Sequence, residues 1–105
     1  MKLSDKQIEA IKGSGLLKAR QKKLTGGELH DAAYDALSNE APVVESFTAE
    51  QDKGAYHVCI RGVPGAYFVE AMEYDDDGVF DDVDSARDAL MLNFGEFLVD
   101  EKNDE

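Results

Sequence analysis

The sequence predicts an α+β fold, an antiparallel β-hairpin or meander of three to four strands packed with N-terminal helices and one C-terminal helix. Two observations carry that prediction. The stretch "AYHVCIRGVPGAYFVEAMEY" alternates with period two on both sides of Pro64-Gly65, the pattern of two paired strands. Before and after it, apolar residues recur at three- and four-residue steps, the pattern of helices with one buried face. A chain of 105 residues suits one domain with a modest core. We divide it into a basic N-terminal helical arm (1–24), an α+β core (25–99) and an acidic tail (100–105).

The elements follow from local chemistry. "SDKQIEAIKG" reads as a short helix, with Ser4 and Gln7 as a capping box, Ile8 and Ile11 on one face, and Gly13 as the stop. "GSGLLKARQKK" reads as either helix or mobile arm. "TGGELHDAAYDALSN" is a second helix, with Thr25 and Glu28 as its capping box and Leu29, Ala32, Ala33, Ala36 and Leu37 on its apolar face. Asn39 and Pro42 end it. "VVESFT" (Val43 to Thr48) is a short strand and "AEQDKG" a turn.

Pro64-Gly65 fits the centre of a type II turn. A two-residue loop there pairs Ile60 with Val69 and Val58 with Ala71 on one face. The other face then holds Arg61 with Phe68, Cys59 with Glu70, and His57 with Met72. A wider loop is the alternative, because type II is not the favoured tight-hairpin turn. "GVFDD" reads as one further brief strand after an Asp77-Gly78 turn. The last helix begins at Asp82 or Asp84 as N-cap and aligns Ala86, Ala89, Leu90, Phe94, Phe97 and Leu98.

Charge narrows the function classes. The net charge is −12 and it is unevenly placed. Residues 1–24 carry seven Lys or Arg against Asp5 and Glu9, for +5, and residues 25–105 carry four against twenty-one carboxylates, for −17. Such a body repels nucleic-acid phosphates and anionic membranes and attracts basic protein surfaces. A single cysteine, Cys59, precludes an internal disulfide, and no leader-like or membrane-spanning run is visible, so the expectation is a cytoplasmic protein.

"EYDDDGVFDDVDSA" is the densest acidic stretch. Counted from Gly78, it aligns with a twelve-residue calcium loop: Glu73, Asp75, Asp77, Asp81 and Asp84 fall at ligand positions and Phe80 at the apolar one. Such a loop needs an entering helix, however, and "AYFVEAM" alternates as a strand. The first and last ligand positions also depart from the usual Asp and Glu. A hairpin turn followed by a capped helix is therefore the expectation, with no metal and no cofactor.

His57, Cys59 and Glu70 share one expected sheet face, but residues two apart on a strand stand roughly 6.5 Å apart at the backbone, too far for a ready Cys–His pair. His30 beside Asp31 reads as a surface residue, "GSG" and "TGG" lack the setting of a phosphate loop, and "KARQKK" reads as a solvated or self-docking basic face. No enzyme is expected. If helices cover only the face of Tyr56, Val58, Ile60, Val69 and Ala71, then Cys59, Phe68 and Met72 form an apolar spot on the open side. In the other arrangement the N-terminal helices cover that side and the protein has three layers.

The leading expectation is a small acidic inhibitor or decoy. It would occupy the basic nucleic-acid-binding surface of a partner such as a nuclease, a restriction or CRISPR effector (the anti-CRISPR case) or a toxin, without binding nucleic acid itself. Asp75, Asp76, Asp77, Asp81, Asp82, Asp84 and Asp88 would form its charged face, with Phe68 or Met72 as apolar anchor. The alternative is a homodimeric regulatory or interaction module in which the charge serves solubility.

Overall fold

The structure, a computed structural model, describes residues 3–52, 54–71 and 78–99. In chain order they form α1 (Asp5–Gly13), α2 (Gly26–Glu40), β1 (Val43–Gln51), β2 (Gly54–Val63), β3 (Ala66–Ala71) and α3 (Val83–Phe94), with short 3-10 turns at Gln21–Lys23 and Gly95–Phe97. The class is α+β, with three helices and an antiparallel sheet ordered β1-β2-β3.

Alternation sets which residues go where. On β2 and β3, Val58, Ile60 and Val69 point to one side and pack under Ala86, Leu90 and Phe94 of α3. Val63, Ala66 and Phe68 point to the other side and pack against Ile8 and Ile11 of α1 and Ala33, Ala36 and Leu37 of α2. The sheet therefore separates two apolar clusters, and the protein has three layers. Removing each of these side chains from water contributes about 1.5–3 kcal/mol, which is why the sheet recruits helices on both faces.

The hairpin register agrees with the alternation: Val58 faces Ala71, Cys59 Glu70, Ile60 Val69 and Arg61 Phe68. Gly65 has φ +98, the left-handed value that the third position of a type II turn requires, so no wider loop forms. The expected His57–Met72 pair lies outside the described residues.

Several local expectations are corrected. Ser4 and Gln7 do form a reciprocal capping box on α1, but Thr25 caps α2 without a side-chain bond. Gly26, the first residue of α2, has φ +60, outside the right-handed helical region that a regular capped first turn has. β1 runs on through "AEQ", because Ala49, Glu50 and Gln51 pair with Tyr56, Ala55 and Gly54; cross-strand pairing outweighs the polar local sequence.

The further strand expected at "GVFDD" is a single bridge at the β3 edge. Phe80 N–H donates to Tyr67 O at 2.7 Å and Tyr67 N–H to Phe80 O at 2.8 Å. Asp82 then caps α3, leaving no length for more pairing. The opposite edge is also partly covered. Leu98 bridges Ala49, and the Val99 N–H donates to Thr48 O at 2.8 Å.

The basic segment is not a projecting arm. Leu3, Ile8, Ile11 and Leu17 are buried in the cluster under α2 and Phe68. Its cations stay outside: Lys18, Arg20, Lys22 and Lys23 are exposed around the 3-10 turn, whose start is pinned by the Lys18 N–H donating to Gln21 Oε1 at 2.9 Å.

Candidate functional site

The aspartates chosen from the sequence separate into three groups. Asp75, Asp76 and Asp77, together with Met72, lie outside the described residues. Asp81 and Asp82 are exposed but each holds structure: Asp81 Oδ1 accepts from the Gln7 side-chain amide of α1 at 3.2 Å, and Asp82 Oδ1 accepts the Ser85 N–H at 2.7 Å as the α3 N-cap. That backbone bond draws the Asp82 carboxyl below its usual range. Asp84 and Asp88 stand on the solvent side of α3.

Phe68, expected as an exposed anchor, is buried with 6% exposure. The reason is the second helical layer: α1 and α2 sit on the sheet face that holds Phe68, and Arg61 lies over its ring at 6.0 Å. Beyond it the same face is more open. Glu70 and His57 are exposed and Cys59 half-buried. Arg61 Nη1 donates to both Glu70 carboxylate oxygens, at 3.1 and 3.3 Å, while Arg61 Nε donates to the Ala41 carbonyl at 3.0 Å.

Cys59 Sγ lies 3.6 Å from Glu70 Oε1. Burial and that carboxylate push the thiol upward, so it is a protonated donor and not an activated nucleophile. His30 is more than a surface residue. Its Nε2 accepts the Leu3 N–H at 3.0 Å, which assigns the proton to Nδ1, the nitrogen 3.6 Å from Asp31. Among the described residues no group of three or more His, Cys, Asp or Glu is placed to hold a metal ion. The segment entering the aspartate stretch is β3, a strand where a calcium loop has a helix.

α3 brings exposed carboxylates and exposed apolar side chains together on one helix. Its inner face buries Ala86, Leu90 and Phe94. Arg87 fixes its edge: Nη1 donates to Asp84 at 2.8 Å, Nε donates to Glu45 Oε1 of β1 at 3.0 Å, and Nη2 pairs with Glu45 Oε2. The guanidinium holds the Glu45 carboxyl below its usual value, and the two carboxylates hold the Arg87 proton more tightly. On the outer face, Asp84, Asp88 and Leu92 follow at four-residue steps, beside Met91 and followed by exposed Glu96. Leu92 is 87% exposed and Met91 41%. Asp88 and Glu96 have no ion pair among the described residues.

Sequence reasoning overlooked Leu92 and Met91. The signal was present in "LML": successive residues stand about 100° apart on a helix, so Leu90, Met91 and Leu92 cannot all face one core. α2 adds a second exposed acidic stripe, Glu28, Asp31 and Asp35, at three- and four-residue steps on the side away from Ala33, Ala36 and Leu37.

Among the described residues, no helix is long and apolar enough to cross a membrane. Comparison of the chain with protein-family models, with curated proteins and with solved structures finds no match.

Proposed function

We propose that this protein is a small acidic inhibitor or decoy that occupies the basic, nucleic-acid-binding surface of another protein. The partner class is a nuclease, a restriction or CRISPR effector, or a toxin. The observation that carries the reading is that several exposed carboxylates on or beside the helices are free of ion pairs among the described residues, among them Glu28 and Asp35 on α2, Asp88 on α3 and Glu96 just after it. They belong to a region of residues 25–105 that totals −17.

Carboxylates on packed helices present negative charge at fixed positions, as a phosphate backbone does. Little ordering entropy is then lost when they meet a cationic groove. The field of the whole region raises the rate of encounter and repels free nucleic acid, so the protein competes for the groove without binding its ligand. The alternative, a homodimer joined through the sheet face, loses its contact residue because Phe68 is covered by α1 and α2.

The test is displacement. Fluorescent duplex DNA bound to a panel of basic nucleases and DNA-binding domains is titrated with the protein at low and high salt. We expect release of DNA from at least one member at low salt, weakened steeply by added salt and by the Glu28→Gln/Asp35→Asn/Asp88→Asn/Glu96→Gln variant. Absence of displacement from every member at low salt, or displacement that the neutralised variant retains in full, would sink the reading.

A further inference from the structure

We propose that the outward face of α3 is the docking surface for that basic partner. Leu92, with Met91 beside it, inserts into an apolar cleft, and Asp88 and Glu96 pair with lysine or arginine side chains on the cleft's rim, while Asp84 stays with Arg87. The inference rests on the decoy reading and adds to it the place, the anchor and the chemistry of the partner's site.

A single exposed leucine is ordinary on a protein surface. What distinguishes Leu92 is its setting. At 87% exposure it projects from the last turn of α3, on the side that carries Asp84 and Asp88 and shortly before the exposed Glu96. The helix beneath it is held at three points: by the Asp82 cap, by the Arg87 bonds to Glu45 and Asp84, and by burial of Ala86, Leu90 and Phe94. The face is thus presented in one conformation, which lowers the entropy lost on binding. An apolar centre in a charged rim is the arrangement by which an interface gains affinity from the anchor and selectivity from the rim.

Charge decides the occupant. Residues 81–96 carry Asp81, Asp82, Asp84, Asp88 and Glu96 against Arg87 alone, a net of −4. Two copies meeting α3 to α3 would place Asp88 and its neighbours against their own equivalents, so a symmetric dimer through this face is opposed. Nucleic acid and anionic membrane are opposed for the same reason. A cationic protein surface with an apolar cleft satisfies both the leucine and the carboxylates.

The test uses the whole protein and three synthetic probes: an amphipathic helical peptide of leucine and lysine, a peptide of the same composition with the leucines permuted off any one face, and polylysine. We expect the amphipathic peptide to bind about tenfold more tightly than the permuted one. Leu92→Asp should remove that preference while leaving polylysine binding unweakened, because the variant adds charge and removes only the anchor. Leu92 lies outside both buried clusters, so Leu92→Asp should lower the thermal midpoint only slightly, through repulsion with Asp88 one turn away. It should keep the parent's cooperative unfolding, which excludes misfolding.

Equal binding of the two peptides by the parent, or a preference that survives Leu92→Asp, would overturn the docking face and leave the charge reading standing. Failure to bind even polylysine at low salt would overturn the charge reading itself. Sedimentation of the protein alone should show a monomer. A salt-sensitive oligomer abolished by Leu92→Asp would assign the face to the basic 18–23 segment of a second copy and overturn the proposal.

Discussion

Gln7 bonds to Val79 across most of the chain: its side-chain amide donates to the Val79 carbonyl at 2.8 Å. The same amide reaches Asp81 at 3.2 Å, and the Gln7 Oε1 accepts the Ser4 N–H at 2.9 Å, so one side chain closes the α1 capping box and fastens α1 to the segment that leads into α3. At 7% exposure it is the buried polar residue of the structure's described core. Gln7→Met keeps the volume but leaves the half-buried Val79 carbonyl and the Ser4 amide without their partner. We expect a loss of about 1–3 kcal/mol by urea denaturation, with the m-value unchanged. Gln7→Glu should lose more than Gln7→Met at neutral pH, because it sets a carboxylate against Asp81 and the Val79 carbonyl oxygen.

Glycine at the β2–β3 hairpin is required by contact as well as by backbone angle. A Cβ on Gly62 would stand 2.3 Å from the Ala66 carbonyl oxygen and 2.6 Å from the Tyr67 Cα, both backbone atoms that cannot step aside. Gly62→Ala is expected to cost roughly 3 kcal/mol or more. A Cβ on Gly65, at φ +98, would meet only the Ala10 Cβ of α1, at 2.7 Å. Gly65→Ala should therefore be milder, and Ala10→Gly should relieve part of it. A double-mutant cycle by chemical denaturation should give a favourable coupling of about 0.5–1 kcal/mol, and strict additivity would refute the contact.

The hairpin was legible because Val58, Ile60, Val69 and Ala71 can share one face in only one register, and the Pro-Gly turn fixes the loop length. The α1 box was legible for a similar reason, since Ser4 and Gln7 meet only by local geometry. Phe68 was not legible as a core residue. Its neighbours Arg61 and Glu70 are charged, and the side chains that bury it, on α1 and α2, are distant in sequence. Period-two alternation states that Phe68 and Val69 face opposite ways but not which helices come to rest on either side. Asp82 and Asp84 read alike as acidic residues of one run, yet one caps α3 and the other pairs with Arg87, a division set by where the helix begins. Leu92 stayed hidden because a long apolar run suggests core, and the surplus residue is revealed only when the helix phase is fixed.

Two clusters on opposite sides of one sheet make separable contributions that mutation can weigh. Ile11 and Leu37 are fully buried on the α1/α2 side, and Leu90 on the α3 side. Truncation of any of them to alanine should cost about 2–5 kcal/mol, and Phe68→Ala about 3–5 kcal/mol. Ile11→Ala and Leu90→Ala share no cluster, so their effects should add within about 0.5 kcal/mol. Phe68→Asp removes the ring from the α1/α2 cluster and sets a carboxylate among its apolar side chains, a burial that the neighbouring Arg61 offsets only in part. It should unfold the protein at ambient temperature, as read by far-UV circular dichroism. A folded Phe68→Asp protein would contradict the covered position of this ring.

Acid should weaken the fold through two named carboxyls. The Glu45 carboxyl lies below its ordinary value of 4.5, because Arg87 bonds to it in the folded state. The unfolded chain therefore takes up that proton first. The contribution is complete above pH 4.5 and is lost as pH falls through the folded value. Asp82 behaves in the same sense from its ordinary 3.8, through the Ser85 amide. Protonation elsewhere works against this, since it relieves the self-repulsion of a −12 chain, so the parent's pH profile alone mixes opposite effects. The differences isolate them. Glu45→Gln should be less stable than the parent at pH 7, with the gap closing below pH 4.5. Asp82→Asn, which retains a capping oxygen, should narrow the gap to the parent only below 3.8, whereas Asp82→Ala should be weaker than Asp82→Asn at every pH because it lacks the cap altogether. Urea titrations of the four proteins between pH 2 and pH 7 check each step, and a Glu45→Gln deficit that persists undiminished at the acid end would show that the pair contributes nothing through its charge.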